Sequence, residues 1–352
     1  MRPDAVQGYA DLVKLPPALF KHLHAGRAHP SRTNVPAKPP PPSSSGWPVV
    51  VFSHGTWGCA EMYTSLCRSL ASLGYVVVAL EHEDGSGAYA CTAGGETVAY
   101  HEPSRGDGTA VDHELRAAMI NQRVAEVRGA LDAIEDLGAG EGGAASADRV
   151  DERTQDDACG SLSDVLATCD VSARILMGHS FGAATCVLAA QQLESEGSSP
   201  PRCTVLLDTW AGALSPAARS AGTRLPTLSL ESELWSEREW GIAKVSHDES
   251  LAMVAPTTRH QSFSDSMLWI PKWLARRNGC LGPTERRHDL HRAASSMADA
   301  FARGVIAADD LDDRGSRGGG VATATPPVVA TAASLLVTVG AQIEEGMLLP
   351  AK

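Results

Sequence analysis

Gly178-His179-Ser180-Phe181-Gly182 sets a serine between two glycines, each two residues away. That pattern lets backbone crowd around a strained nucleophile. ARILM before it and AATCVLAAQ after it read as a buried strand and an Ala-rich helix, so Ser180 is expected on the turn between them. A serine hydroxyl attacks an ester only when a base takes its proton, and after such a turn the partners follow in the order acid, then histidine. Of twelve histidines, His247, His260, His288 and His291 lie downstream. His247 sits in the acidic stretch KVSHDES; His288 and His291 sit in the charged stretch RRHDLHRAA and are expected to face solvent. His260 follows the apolar LAMVAP and precedes QSFSD, the strand-then-loop setting of a catalytic base. His179 reads as a structural neighbour, because the base must approach from a separate loop.

The acid must end a strand on the same sheet edge, and two carboxylates qualify. Asp208 closes CTVLLD and Glu231 closes TLSLE, and spacing leaves both open. The developing negative oxygen needs two backbone N–H donors, one from the residue after the nucleophile and one from the turn after an earlier strand. Phe181 is the first candidate; Thr56, after VVVFSHG, is the second, with His54 holding the turn. Trp57, Trp210 and Trp235 are candidates to shape an acyl pocket, or plain core.

These residues need a frame, and the chain supplies strands alternating with helices. VVVF (49–52) and YVVVAL (75–80) are apolar β-branched runs of the kind buried on both faces of a parallel sheet. Between them, Met62, Leu66, Leu70 and Leu73 mark one face of a helix closed by Gly74. Ile120, Val124, Val127, Leu131 and Ile134 mark a second helix over 115–137. A short helix is expected near 162–168 and another over 183–193. Further strands are expected at 174–177, 204–207 and 227–230. The fold class is therefore α/β, an α/β-hydrolase fold with a mostly parallel central sheet and helices on both faces. The expected organisation is an N-terminal segment 1–35, a Pro/Ser linker 36–46 and a catalytic domain 47–305, with a Gly/Ala/acidic insertion at 138–160 and a disordered tail 306–352. Residues 9–24 (YADLVKLPPALFKHLH) read first as a helix packed on the domain, and otherwise as a lipid-docking surface.

A formal net charge of −12 argues against general nucleic-acid binding and against an anionic-membrane binder. The eight cysteines form no CxxC pair and no zinc-type spacing, so they are expected reduced. MRPDAVQGYADL has no apolar core of a signal peptide, Arg2 excludes myristoylation, and no run reaches the ~18 apolar residues of a membrane span. A cytoplasmic location is the expectation.

FSHGTWGCAEMYTSLCRSLASLGYVVVALEHEDGS, GHSFGAAT, CTVLLDTW and TRHQSFSD, in this order, resemble the successive signatures of the platelet-activating factor acetylhydrolases, the plasma and type II intracellular group. Weaker similarity runs through NQRVAEVRGALDAI and RAASSMADAF, so the resemblance covers roughly residues 8–305. It implies a calcium-independent phospholipase A2, a 1-alkyl-2-acetylglycerophosphocholine esterase, that removes short or oxidised sn-2 acyl groups. The implied partners are a phospholipid and a transient lipid surface; no metal or other cofactor is implied, and no nucleic acid. Carried over by position, it implies Ser180 as nucleophile, Asp208 rather than Glu231 as acid, His260 as base, and Thr56 and Phe181 as oxyanion donors. A general carboxylesterase or polyester hydrolase is the alternative of the same chemistry; a non-catalytic lipid-binding relative is the alternative without it. Three departures stand out. His-Gly-Thr-Trp replaces the family's His-Gly-Leu-Gly, putting Trp57 where glycine is usual; Glu83 stands where arginine is expected; and the segment the family places before Gly8 is nearly absent.

Overall fold

The structure is a computed structural model that describes residues 3–12, 14, 16–24, 36–92, 94–101, 110–138, 162–236, 250–269, 271–282, 289–317 and 349–350. The strands are β1 Trp47–Ser53, β2 Val76–Ala79, β3 Tyr89–Cys91, β4 Thr97–Ala99, β5 Cys169–His179, β6 Cys203–Leu207, β7 Thr227–Ser232, β8 Leu251–Ala255 and β9 Leu349–Pro350. The helices are α1 Pro3–Leu12, α2 Pro17–His24, α3 Thr64–Ser72, α4 Ala110–Gly138, α5 Leu162–Leu166, α6 Phe181–Glu196, α7 Pro216–Ala221, α8 Glu233–Ser236, α9 Ser266–Trp269, α10 Lys272–Arg277 and α11 Asp289–Arg317. The main sheet runs β2-β1-β5-β6-β7-β8-β9. Its first six strands are all parallel; β9 pairs antiparallel with β8.

Side-chain alternation along each strand sorts the sheet into two apolar layers. Val50 and Phe52 of β1, Ile175 and Met177 of β5, and Val205 and Leu207 of β6 pack on one face with Leu66 and Leu70 of α3 and Met297 and Phe301 of α11. Val49, Val51, Leu176 and Leu206 point the other way, against Val124, Val127, Leu131 and Ile134 of α4 and Ala183, Val187 and Leu193 of α6. Helices thus cover both faces, and the 4-3-4-3 apolar spacing of α4 is the stripe laid on the sheet. Burying such a Leu or Val side chain contributes about 1.5–3 kcal/mol.

The linker 36–46 carries no helix or strand. The segment before it packs on the domain through α1, which buries Ala5, Val6, Tyr9 and Ala10. Gly8 allows that approach, since a Cβ there would stand 2.4 Å from the Ala88 carbonyl oxygen. Two differences from the sequence reading concern boundaries and small elements. Helix α11 continues to Arg317, so residues 306–317 are helical rather than tail. The β3-β4 hairpin was not foreseen, its strands being only three residues each. Of the expected 138–160 insertion, Gly138 is still the last residue of α4, and the rest lies outside the described residues, as do residues 318–348.

Candidate active site

The residues singled out by sequence lie at or just past the carboxyl ends of strands that the register makes neighbours. Ser53 pairs with Gly178, His179 with Leu207, Leu207 with Leu230, and Ser232 with Ala255. The turn after β1, the Ser180 elbow, Asp208 and the loop carrying His260 therefore share one sheet edge, where open α/β sheets assemble their sites.

Ser180 has φ 57° and ψ −116°, a backbone state that costs a non-glycine residue about 1–3 kcal/mol. Its amide donates to the Leu207 carbonyl at 2.8 Å, and its carbonyl accepts from Trp210 at 3.1 Å and Ala184 at 3.2 Å. The flanking glycines are demanded by backbone contact. A Cβ on Gly178 would lie 2.4 Å from the Gly182 carbonyl carbon, and one on Gly182 would lie 2.0 Å from the Ser53 carbonyl oxygen. Asp208 and Trp57 also hold positive φ, 43° and 63°, so the left-handed backbone concentrates around the site.

His260 joins the serine to the acid. Its Nε2 lies 3.0 Å from Ser180 Oγ and its Nδ1 lies 3.0 Å from Asp208 Oδ2. Asp208 is fully buried, and it accepts from the Ser232 amide at 2.5 Å and the Ser232 hydroxyl at 2.6 Å. The His260 ring is held between two others. Trp235 stacks on it at 3.9 Å and 12°, and His179 tilts against it at 4.5 Å and 37°. Trp235 is fixed by donating from Nε1 to the Thr209 carbonyl at 3.0 Å. Tyr63 Oη accepts from the Gly55 amide at 3.2 Å and is hydrogen-bonded with His179 Nδ1 at 2.7 Å. Burial first, and His260 second, hold the His179 pKa well below the imidazole range. That shift favours the neutral form of His179 beside the His260 ring.

The turn after β1 leaves one amide uncommitted. Gly55 donates to Tyr63 Oη, Trp57 to the Ser86 carbonyl at 2.8 Å, and Gly58 to the Gly55 carbonyl at 3.0 Å. Neither the Thr56 amide nor the Phe181 amide has an acceptor among the described residues. Phe181 is the first residue of α6, where helix geometry leaves N–H groups unpaired and the helix end is positive. Trp57 keeps the turn that glycine adopts more cheaply, with its carbonyl accepting from Tyr9 Oη at 2.6 Å. Its ring is 48% exposed and meets Tyr100 edge-on at 6.2 Å. Trp210 packs on Phe181 at 5.6 Å.

Of the two candidate acids, Asp208 meets His260. Glu231 is buried with neither carboxylate oxygen hydrogen-bonded, and burial, followed by Asp208, lifts its pKa to about 7. His291 departs from expectation: it is 1% exposed on α11, with Nδ1 3.7 Å from Asp265 Oδ1. Its charged sequence neighbours masked a position on the buried stripe, the third residue of the helix. His247 and His288 lie outside the described residues. Sequence reading missed Tyr63, Ser232 and Arg123. For Arg123 a signal was present, since Ile120, Arg123 and Val127 fall on one face of α4 and a cation on a buried stripe needs partners.

His179, Asp208 and His260 bring ligand-type atoms within 4.8 Å of one another. Both His260 nitrogens and His179 Nδ1 already have hydrogen-bond partners, Asp208, Ser180 and Tyr63 respectively.

The parallel sheet order and the helices on both of its faces are those of an α/β-hydrolase fold. The chain belongs to the family described as platelet-activating factor acetylhydrolase, isoform II, whose sequence profile matches residues 5–303. Among curated relatives, the platelet-activating factor acetylhydrolase of Gallus gallus is 28% identical over 284 residues, 74% of this chain and 62% of its own length. A putative phospholipase A2 of Schizosaccharomyces pombe is 30% identical over 191 residues, 48% of this chain and 42% of its own. The chain thus spans less than two thirds of the length of either relative. A solved structure, a ferulic acid esterase from Streptomyces cinnamoneus, is similar at a TM-score of 0.49 and 21% identity, covering 74% of this chain and 68% of that one. No helix among the described residues is long and apolar enough to cross a membrane.

Proposed function

We propose that this chain is a serine esterase that hydrolyses short or oxidised sn-2 acyl esters of glycerophospholipids without calcium. The observation that carries the reading is the continuous chain Ser180 Oγ, His260 Nε2, His260 Nδ1, Asp208 Oδ2, both gaps 3.0 Å, on an elbow in a platelet-activating factor acetylhydrolase family member.

In the proposed mechanism His260 Nε2 takes the Ser180 proton as Oγ attacks the sn-2 carbonyl carbon. Asp208 accepts from His260 Nδ1–H, fixing the tautomer and stabilising the imidazolium. The Thr56 and Phe181 amides receive the carbonyl oxygen as it becomes negative. The C–O bond to the glycerol breaks, His260 returns its proton to the departing alkoxide, and the lysophospholipid leaves an acyl-Ser180 ester. Water, deprotonated by His260, then attacks that ester; the bond from the acyl carbon to Ser180 Oγ breaks, His260 returns the proton to Oγ, and the short acid leaves. Trp235 gives the transient imidazolium a stacked aromatic face, and neutral His179 gives it no opposing charge.

A fluorophosphonate probe tests the nucleophile. The expected result is one label per chain on Ser180, absent in Ser180→Ala; labelling that survives in Ser180→Ala contradicts the reading.

A further inference from the structure

Arg123 is the largest fully buried side chain of the described residues, and it belongs to neither the nucleophile nor its relay. A guanidinium out of water is tolerated only with its donors satisfied, and its partners all serve the oxyanion turn. Its Nε donates to Asp84 Oδ2 at 2.7 Å, and both side chains are fully buried. Its Nη1 donates to the His54 carbonyl at 2.6 Å, two residues before Thr56. Its Nη2 donates to Ser86 Oγ at 2.6 Å. Ser86 is held from its other side by Asp84 Oδ1, which accepts from the Ser86 hydroxyl at 2.7 Å and the Ser86 amide at 3.1 Å. The Ser86 carbonyl in turn receives the Trp57 amide, one residue after Thr56. The guanidinium carbon also lies 4.6 Å from the ring centre of Phe181.

We infer that Arg123 is the positioning residue of the oxyanion hole, a single cation that ties both donor amides to one rigid point. It clamps the Thr56 peptide from upstream through His54 and from downstream through Ser86, and it seats the ring of the residue that carries the second donor. The inference rests on the proposed role of the Thr56 and Phe181 amides. Arg123 itself touches no reacting atom. It acts by keeping two N–H groups aimed at the place where charge develops, and misplacing a catalytic group by about 1 Å can cost about 10²-fold in rate.

Removing Arg123 alone would strand the buried Asp84 charge, so the test uses the double variant Arg123→Met with Asp84→Asn, beside Ser86→Ala. Each is assayed on an aryl acetate and titrated with a trifluoromethyl ketone, which forms the charged tetrahedral adduct. In the double variant kcat should fall on the order of 30–100-fold, KM should stay within about 3-fold, and ketone affinity should fall by the same factor as kcat. Ser86→Ala should show the same two losses at roughly 3–10-fold. The inference is overturned if kcat and ketone affinity stay within about 3-fold in Ser86→Ala and in a folded double variant, or if kcat falls while ketone affinity does not. A parent activity that does not depend on Ser180 would instead remove the proposed function; one that depends on Ser180 and ignores Arg123 removes only this inference.

Discussion

Asp208 and Glu231 end adjacent strands with the same functional group in opposite circumstances. Asp208 has three hydrogen-bond partners, and Glu231 has a carboxylate with none. In the proposed mechanism Asp208→Asn loses the correct His260 tautomer and should cost on the order of 10²–10⁴-fold in kcat. Glu231→Gln should leave kcat within about 3-fold, because it alters nothing that touches His260. A steady-state comparison of the two variants checks both. Trp57 makes a different prediction. Its φ of 63° is cheap for glycine and its ring is half-exposed, so Trp57→Gly should fold with little loss of stability while changing acyl preference. Melting temperature and rates across acyl lengths measure the two parts. Ser180 and His260 were legible as candidates because glycine spacing and strand-then-loop placement are local signals. Spacing left Asp208 and Glu231 open, and only the family resemblance favoured Asp208; the two look alike in sequence until the chain folds and Asp208 comes to lie 3.0 Å from His260 Nδ1.

At the scale of elements, the elbow is set by how closely β1, β5 and α6 approach. Gly182→Ala would press a methyl into the Ser53 carbonyl at 2.0 Å, backbone against backbone, so β1 or α6 must move. We expect a loss of ~3 kcal/mol or more, or no folded protein, measured by urea unfolding. Leu70→Ala on α3 removes a side chain that is 1% exposed and should cost about 2–5 kcal/mol without touching the site. The strands were readable from their apolar runs and the helices from their stripes. The β3-β4 hairpin gave too short a pattern to read, and the end of α11 was hidden by an acidic, glycine-containing stretch that resembles a tail (ADDLDDRGSRGGG). Arg123 and His291 show the same limit. A polar residue on a buried stripe is explained only by a partner distant in sequence, Asp84 for one and Asp265 for the other.

Over the whole molecule, buried carboxyls set the pH dependence of stability. Burial lifts Glu231 from 4.5 and Asp265 from 3.8, both to about 7. An acid whose folded pKa is raised favours the folded state in its protonated form. Its contribution is complete below the unfolded pKa and is lost as pH rises through the folded one. Stability from these two groups should therefore fall between about pH 4 and pH 7–8, and Glu231→Gln should flatten that fall. The variant should gain on the order of 1–3 kcal/mol at pH 8 and nothing near pH 4, read from urea midpoints at the two values. The central claim joins the serine site to a short-acyl phospholipid, and one assay addresses it. Rates of the purified chain are measured in EDTA on phosphatidylcholines carrying 2-acetyl or 2-palmitoyl groups, with Ser180→Ala as the blank. The account predicts Ser180-dependent release of acetate, unaffected by EDTA, with kcat/KM favouring the acetyl ester on the order of 10²-fold or more. Equal hydrolysis of both esters, activity abolished by EDTA, or acetate release that persists in Ser180→Ala would contradict it.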